Sequence, residues 1–224
     1  MVSPEGGRLK GSGMMWGAPK TYLIVFLLAL GIRGLLFWVV IEHPEGILEP
    51  DSRLYIGLSE GLRQHGSLCY PERPGEPNVE RMPGYPVFLA LLTTLFGGSY
   101  LAVVAFQAAL DSLSCVLVGV LGERVWSGTG LLAGILAAVN LNMLTYAFFV
   151  LNDSLFLLIF LTGLLMVIRF MGRPTGKTAA ILGALLGLGT LVRPVLFFFP
   201  LVLIPFLWAW FVWGKRVSLG RGIG

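Results

Sequence analysis

Apolar residues in this chain run in long blocks, broken by short polar stretches. Residues 22–41 form the first block. At about 1.5 Å of rise per residue it is long enough to cross a hydrocarbon core of about 30 Å. Comparable blocks follow at 100–121, 131–151, 154–171, 179–192 and 195–213, and the pattern predicts six spanning helices. The fifth block is short and ends at Arg193-Pro194, and the sixth contains Pro200 and Pro205. Membrane helices tolerate proline where neighbours re-satisfy the freed carbonyls. Residues 84–96 are apolar but too few to span, so they predict a re-entrant or interfacial helix. Leu54, Leu58 and Leu62 recur every fourth position with Tyr55 beside them, while Arg53, Glu60, Arg63 and Gln64 point elsewhere. That spacing predicts an amphipathic helix lying at the membrane surface, entered through Pro50 and ended by Gly66. The fold class is therefore an all-α integral membrane protein. It has about six transmembrane helices, with one or two interfacial helices in its first outer loop.

Composition agrees with the pattern. Of 224 residues, 56% are hydrophobic and 12% are charged, where soluble domains carry about 25% charged residues. The net charge of +4 is scattered between apolar blocks rather than gathered in a stripe, which excludes a nucleic-acid interface. Cys69 and Cys115 lie in a loop and in an apolar block, without zinc-ligand spacing, and read as structural. His43 and His65 have no partner at metal spacing and read as loop surface. The first block is too long for a signal-peptide core, and no small-residue cleavage site follows it, so it reads as a retained anchor. The expected organisation is a cytoplasmic segment 1–21, a membrane domain 22–213 and a cytoplasmic tail 214–224.

Charge also sets the expected orientation. Arg8, Lys10 and Lys20 precede the first block. With the N-terminus inside, Arg124, Arg173, Lys177, Lys215, Arg216 and Arg221 all fall on the inner side, as the positive-inside rule requires. Loop 42–83, the turn at Asn152-Asp153 and the break at Arg193-Pro194 are then outside. Eight of the twelve acidic residues (Glu42, Glu45, Glu49, Asp51, Glu60, Glu72, Glu76 and Glu80) sit in loop 42–83. Chemistry that needs water-soluble groups is expected on that face.

Two charges fall deep inside blocks. Arg33 and Asp111 lie at depths of roughly 12 and 17 Å from the outer ends of their helices. Isolated charges at such depth are costly, so the two are predicted to form a structural pair, directly or through Gln107 or water. Two motifs suggest chemistry or packing. "GRPTGKT", from Gly172 to Thr178, has three residues between its glycines where a phosphate loop needs four, and no strand precedes it. It reads as a basic inside loop. "GALLG", from Gly183 to Gly187, fits the small-residue packing motif of membrane helices and predicts a close helix contact within the bundle.

The ordered set of polar motifs resembles the membrane glycosyltransferases of the GT-C fold, in the branch of protein O-mannosyltransferases and lipid A aminoarabinose transferases. The residues that carry the resemblance are Asp51 and Tyr55, Arg81 with Pro83-Gly84-Tyr85-Pro86, Gln107 and Asp111, Gly122 and Arg124, Asp153 and Phe156, and Arg193-Pro194. They cover about residues 20–200. The resemblance implies transfer of a hexosyl or pentosyl unit from a polyprenyl-phosphate donor to a hydroxyl of a lipid, protein or glycan acceptor on the outer face. It assigns Asp51 as general base, and Arg81, Tyr85, Asp153 and Arg193 to substrate binding. It leaves a divalent metal open.

Plainer roles stand beside these. Asp51 and Asp153 suit helix N-caps, Arg81 suits an interfacial anchor, and Arg193 suits a cap on a broken helix. Relatives of this kind run longer, so the chain reads as an N-terminal half or a truncated member, with room for a complementary subunit. The alternative class is a non-catalytic scaffold or a small transporter derived from the same fold. No internal repeat and no paired broken helices support the transporter.

Overall fold

The computed structural model describes residues 19–78 and 80–220, with side chains through residue 212. Most of the expected segment 1–21 lies outside the described residues, as do positions 221–224 of the expected tail. The chain forms α1 (Pro19–Glu42), α2 (Pro50–His65), α3 (Gly84–Leu95), α4 (Tyr100–Val125), α5 (Gly130–Ala138), α6 (Leu141–Ala147), α7 (Asp153–Gly172), α8 (Gly176–Val192) and α9 (Phe199–Gly220). Short 3₁₀ turns at Pro44–Ile47 and Pro194–Phe198 precede α2 and α9. Among the described residues there is no strand.

The expectation of six spans is corrected. Four helical stretches are long and apolar enough to cross a membrane, namely α1, α4, α7 and Pro194–Val212, and a fifth counts if α5 and α6 are taken as one bent span. The expected helix 131–151 breaks at Val139-Asn140, and its halves meet at 54°. Asn140 causes the break by opening a new helix, its side-chain oxygen accepting from the Met143 N–H at 3.1 Å. The helix expected at 179–192 is 17 residues long. It stops because Pro194 bars an α-helical conformation at Arg193.

A buried ion pair joins α1, α4 and α5. Arg33 is fully buried, and its Nε donates to an Asp111 carboxylate oxygen at 2.8 Å, with Nη2 bonding the same oxygen. Nη1 donates to the Ala29 carbonyl at 3.1 Å and to the Ala138 carbonyl at 3.3 Å. Ala138 is the last residue of α5. Its carbonyl has no next helical turn to bond, and the guanidinium takes the place of the missing N–H. One side chain therefore neutralises an acid and closes a broken helix. Gln107, four residues from Asp111, does not mediate the pair.

Small residues let these helices approach. A Cβ on Gly134 would meet the Val25 side chain at 2.8 Å, and one on Gly119 would meet the Gly130 carbonyl at 2.8 Å. The expected contact through "GALLG" is corrected. Nothing lies within 4 Å of where a Cβ would stand on Gly183 or Gly187, and both are exposed. The packing motif operates at the α4–α5 and α1–α5 seams instead. "GRPTGKT" is likewise a helix start. Thr175 caps α8, accepting from the Thr178 N–H at 3.2 Å.

Removing either partner of the Arg33–Asp111 pair should be severe. Arg33→Gln and Asp111→Asn are each expected to destabilise by about 3–5 kcal/mol, because each strands a buried charge. The double variant should lose less than the sum, measured as a double-mutant cycle of unfolding in detergent. Strict additivity would show that the two side chains do not share their energy.

Candidate functional site

The loop ends of α6 and α8 meet the starts of α2 and α7 around an open cavity of about 690 Å³. Asp51, Tyr55, Arg81, Asp153 and Arg193 all line it. Two hydrogen bonds join these ends: the Val150 backbone N–H donates to the Ile47 carbonyl at 3.1 Å, and the Asn152 side-chain amide donates to the Val192 carbonyl at 2.9 Å.

Asp51 does not occupy the cap position that the sequence suggested. Glu49 is the N-cap of α2, its backbone N–H donating to Ser52 Oγ at 3.0 Å, and Pro50 and Asp51 follow inside the helix. A proline at the first helical position displaces capping to the residue before it, because the ring lacks an N–H and already has the helical φ. The Asp51 carboxylate is therefore free for another partner. Arg81 supplies it in a two-pronged contact, Nη2 to Oδ1 at 2.7 Å and Nη1 to Oδ2 at 3.3 Å. Arg81 is held by its own loop, where Asn78 donates to the Arg81 carbonyl at 2.7 Å.

A second pair stands at the junction of α7 and α8. Arg193 Nη1 donates to Asp153 Oδ1 at 2.6 Å. Asn152 is the N-cap of α7, so Asp153 is its first helical residue. A carboxylate there is favoured by the helix dipole. Each arginine also lies over an aromatic ring: Arg81 over Tyr55 at 5.7 Å and Arg193 over Phe156 at 5.6 Å. These stacks hold the planar guanidinium forks in place.

Tyr85 does not reach the cavity, which differs from the substrate-binding role expected of it. It is fully buried, and its hydroxyl donates to Gln107 Oε1 at 2.8 Å. Gln107 in turn donates to the carbonyls of Phe149 and Leu151 at 3.0 and 3.2 Å. Tyr85 also packs edge-on against Tyr55, with ring centres 4.9 Å apart. It therefore supports one lining residue directly and the strand of chain before α7 through Gln107. Burial pushes the Tyr55 hydroxyl above the ordinary tyrosine range, with the Arg81 charge working against it. Tyr55 therefore stays protonated near neutral pH.

Among the described residues, no three His, Cys, Asp or Glu side chains converge as metal ligands. Both cavity aspartates are already engaged by arginines.

The model of the dolichyl-phosphate-mannose-protein mannosyltransferase family matches residues 76–220. The chain belongs to that family. No curated protein and no solved structure matches it. The matched stretch contains Arg81, Asp153 and Arg193, while Asp51 and all of α2 lie before it. The ion pair with Arg81 is what ties Asp51 to the mannosyltransferase-type segment. This is a multi-pass membrane protein of a glycosyltransferase family.

The sequence reading missed Asn142, Thr145, Tyr146 and Phe149, which also line the cavity. A signal for them was present. Residues 142, 145 and 146 stand three and four positions apart, and they form a polar face within an otherwise apolar block.

Tyr85→Phe tests the supporting role. It leaves the buried Gln107 oxygen without its donor and should destabilise the protein by about 1–3 kcal/mol. Thermal unfolding in detergent is the measurement. An unchanged midpoint would mean the Tyr85–Gln107 bond does not support the site.

Proposed function

We propose that this chain transfers a sugar from a polyprenyl-phosphate donor to an acceptor hydroxyl on the outer face of the membrane, with Asp51 as general base. The observation that supports this most is the convergence of two Arg–Asp pairs on one cavity at one end of the helices. A lipid-phosphate sugar brings an anion to bind and a leaving group to stabilise. Arginine suits both tasks, because its planar fork matches phosphate oxygens. The exposed Asp51–Arg81 pair, with side chains 52% and 30% exposed, is worth about 0–1 kcal/mol. A phosphate competing for Arg81 displaces the carboxylate at little cost.

The released Asp51 carboxylate then takes the acceptor's hydroxyl proton as the acceptor oxygen bonds to the anomeric carbon. The bond from that carbon to the phosphate oxygen breaks, and its electron pair leaves on the phosphate. Arg81 and Arg193 face the growing negative charge. Asp153 keeps Arg193 aimed into the cavity and stands near enough to contact an acceptor. A lipid-borne donor also explains why the cavity is built at the end of membrane helices.

The orientation belongs to the same reading. With α1 entering from the cytoplasm, the cavity opens outside, and the α7–α8 and α4–α5 connections lie inside with Arg124, Arg173 and Lys177. Cysteines placed at Pro77 and Gly176 should differ in labelling by an impermeant thiol reagent. Pro77 is expected to label from outside and Gly176 not; the reverse would invert the site.

Asp51→Asn is the decisive substitution. Glu49 caps α2, so the change leaves the helix start intact and the folded stability within about 1 kcal/mol. Transfer of labelled mannose from polyprenyl-phosphate mannose to membrane acceptors, in membranes holding the full assembly, should fall by at least about a hundredfold. Full activity in that variant would reassign the base to Asp153.

A further inference from the structure

The ion pairs leave one wall of the cavity without a role. α6 contributes Asn142, Thr145 and Tyr146 to it, with Phe149 just beyond. These positions share one face of the helix, and all three are exposed. The polar side-chain atoms of Asn142 and Thr145 are open, in contrast to those of the other asparagines and of most threonines. Thr93, Thr94, Thr162 and Thr190 each donate to the carbonyl four residues back, at 2.8, 2.7, 2.7 and 2.8 Å. Thr145 makes no such bond among the described residues. Asn78, Asn140 and Asn152 each have side-chain partners. Asn142, the fourth asparagine, has none among the described residues. The Tyr146 ring is 44% exposed and meets Phe149 edge-on at 6.3 Å.

This wall has a definite chemistry. It offers an amide, an aliphatic hydroxyl and a phenol, each able to donate and accept, beside an aromatic face. It carries no ionisable group near neutral pH. An anion finds its partners on the arginines, not here, and a charged substituent would meet no counter-charge on this wall. Neutral hydroxyls and ring C–H groups fit it.

Resting on the lipid-phosphate-sugar reading above, we infer that the α6 face of Asn142, Thr145 and Tyr146 is the sugar-recognition subsite and takes an uncharged sugar unit through its hydroxyls. The arginines hold the phosphate, and α6 reads the hydroxyls. A site built to hydrogen-bond hydroxyls also rejects analogues that lack them, because its own polar groups are then left unpaired.

Binding separates this inference from the reading beneath it. The full chain in nanodiscs is titrated with bare undecaprenyl phosphate and with undecaprenyl phosphate carrying mannose, glucose or galactose. Wild type should bind at least one sugar-bearing lipid more tightly than the bare lipid. The triple variant Asn142→Ala, Thr145→Val, Tyr146→Leu should lose at least about tenfold in affinity for that sugar lipid and keep its affinity for the bare lipid. Thr145→Val alone, which preserves shape, should show a smaller loss of the same selectivity, and it carries the test if the triple variant fails to insert. Equal losses for bare and sugar-bearing lipid, no loss for either, or no wild-type preference for any of the three sugars would each overturn the subsite. Arg193→Gln should weaken both lipids together. If it changes neither, the phosphate-binding reading fails, whatever α6 does.

Discussion

A single guanidinium inside the bundle makes the rest of the site possible. Breaking a helix at membrane depth strands carbonyls that lipid cannot satisfy. Arg33 solves this at the end of α5 by donating to the Ala138 carbonyl, and Asp111 balances the charge this introduces. Without that arrangement the block after α4 would do better as one straight helix. With it, the chain turns by 54° and presents α6 at a new angle to the cavity. The most deeply buried charge in the described bundle thus acts on the site through backbone geometry rather than through contact with a substrate.

The two cavity pairs have a different character. Arg33 and Asp111 are sealed from solvent, whereas Asp51, Arg81, Asp153 and Arg193 remain partly exposed. Sealed pairs are hard to open and serve as fixed joints. Exposed ones are weakly held and can exchange partners. The same two residue types therefore perform two tasks, and burial decides which.

Much of this was legible in the sequence. The apolar blocks located α1, α4, α7 and α9, because a span must be continuous in lipid and leaves a long signature. The acidic loop and the arginines before Pro83 and Pro194 marked where the polar chemistry gathers. The failures have two causes. The caps at Glu49 and Asn140 turn on hydrogen bonds three residues long that composition does not reveal, whereas which glycines face a neighbour is settled by contacts far away in sequence. "GALLG" has the composition of a packing motif but no partner, while Gly119 and Gly134, in less regular surroundings, are pressed against neighbours. Tyr85 sits in the most recognisable motif of the chain, yet it faces inward. Adjacency to a motif says little about which way a side chain points.

The close seam between α3 and α8 has a mechanical consequence. A Cβ on Gly84 would stand 2.7 Å from the Leu191 carbonyl, so the start of α3 rests directly on the backbone of α8. Arg81 lies three residues before that contact and Arg193 two residues after it. Asn152 fastens the neighbouring Val192 carbonyl to the start of α7. The two cations are thus mounted on one stiff hinge-plate, with little slack between their backbones. Such a mounting acts as a fixed jaw: the spacing between the two arginine backbones is set by the fold and not by what enters the cavity.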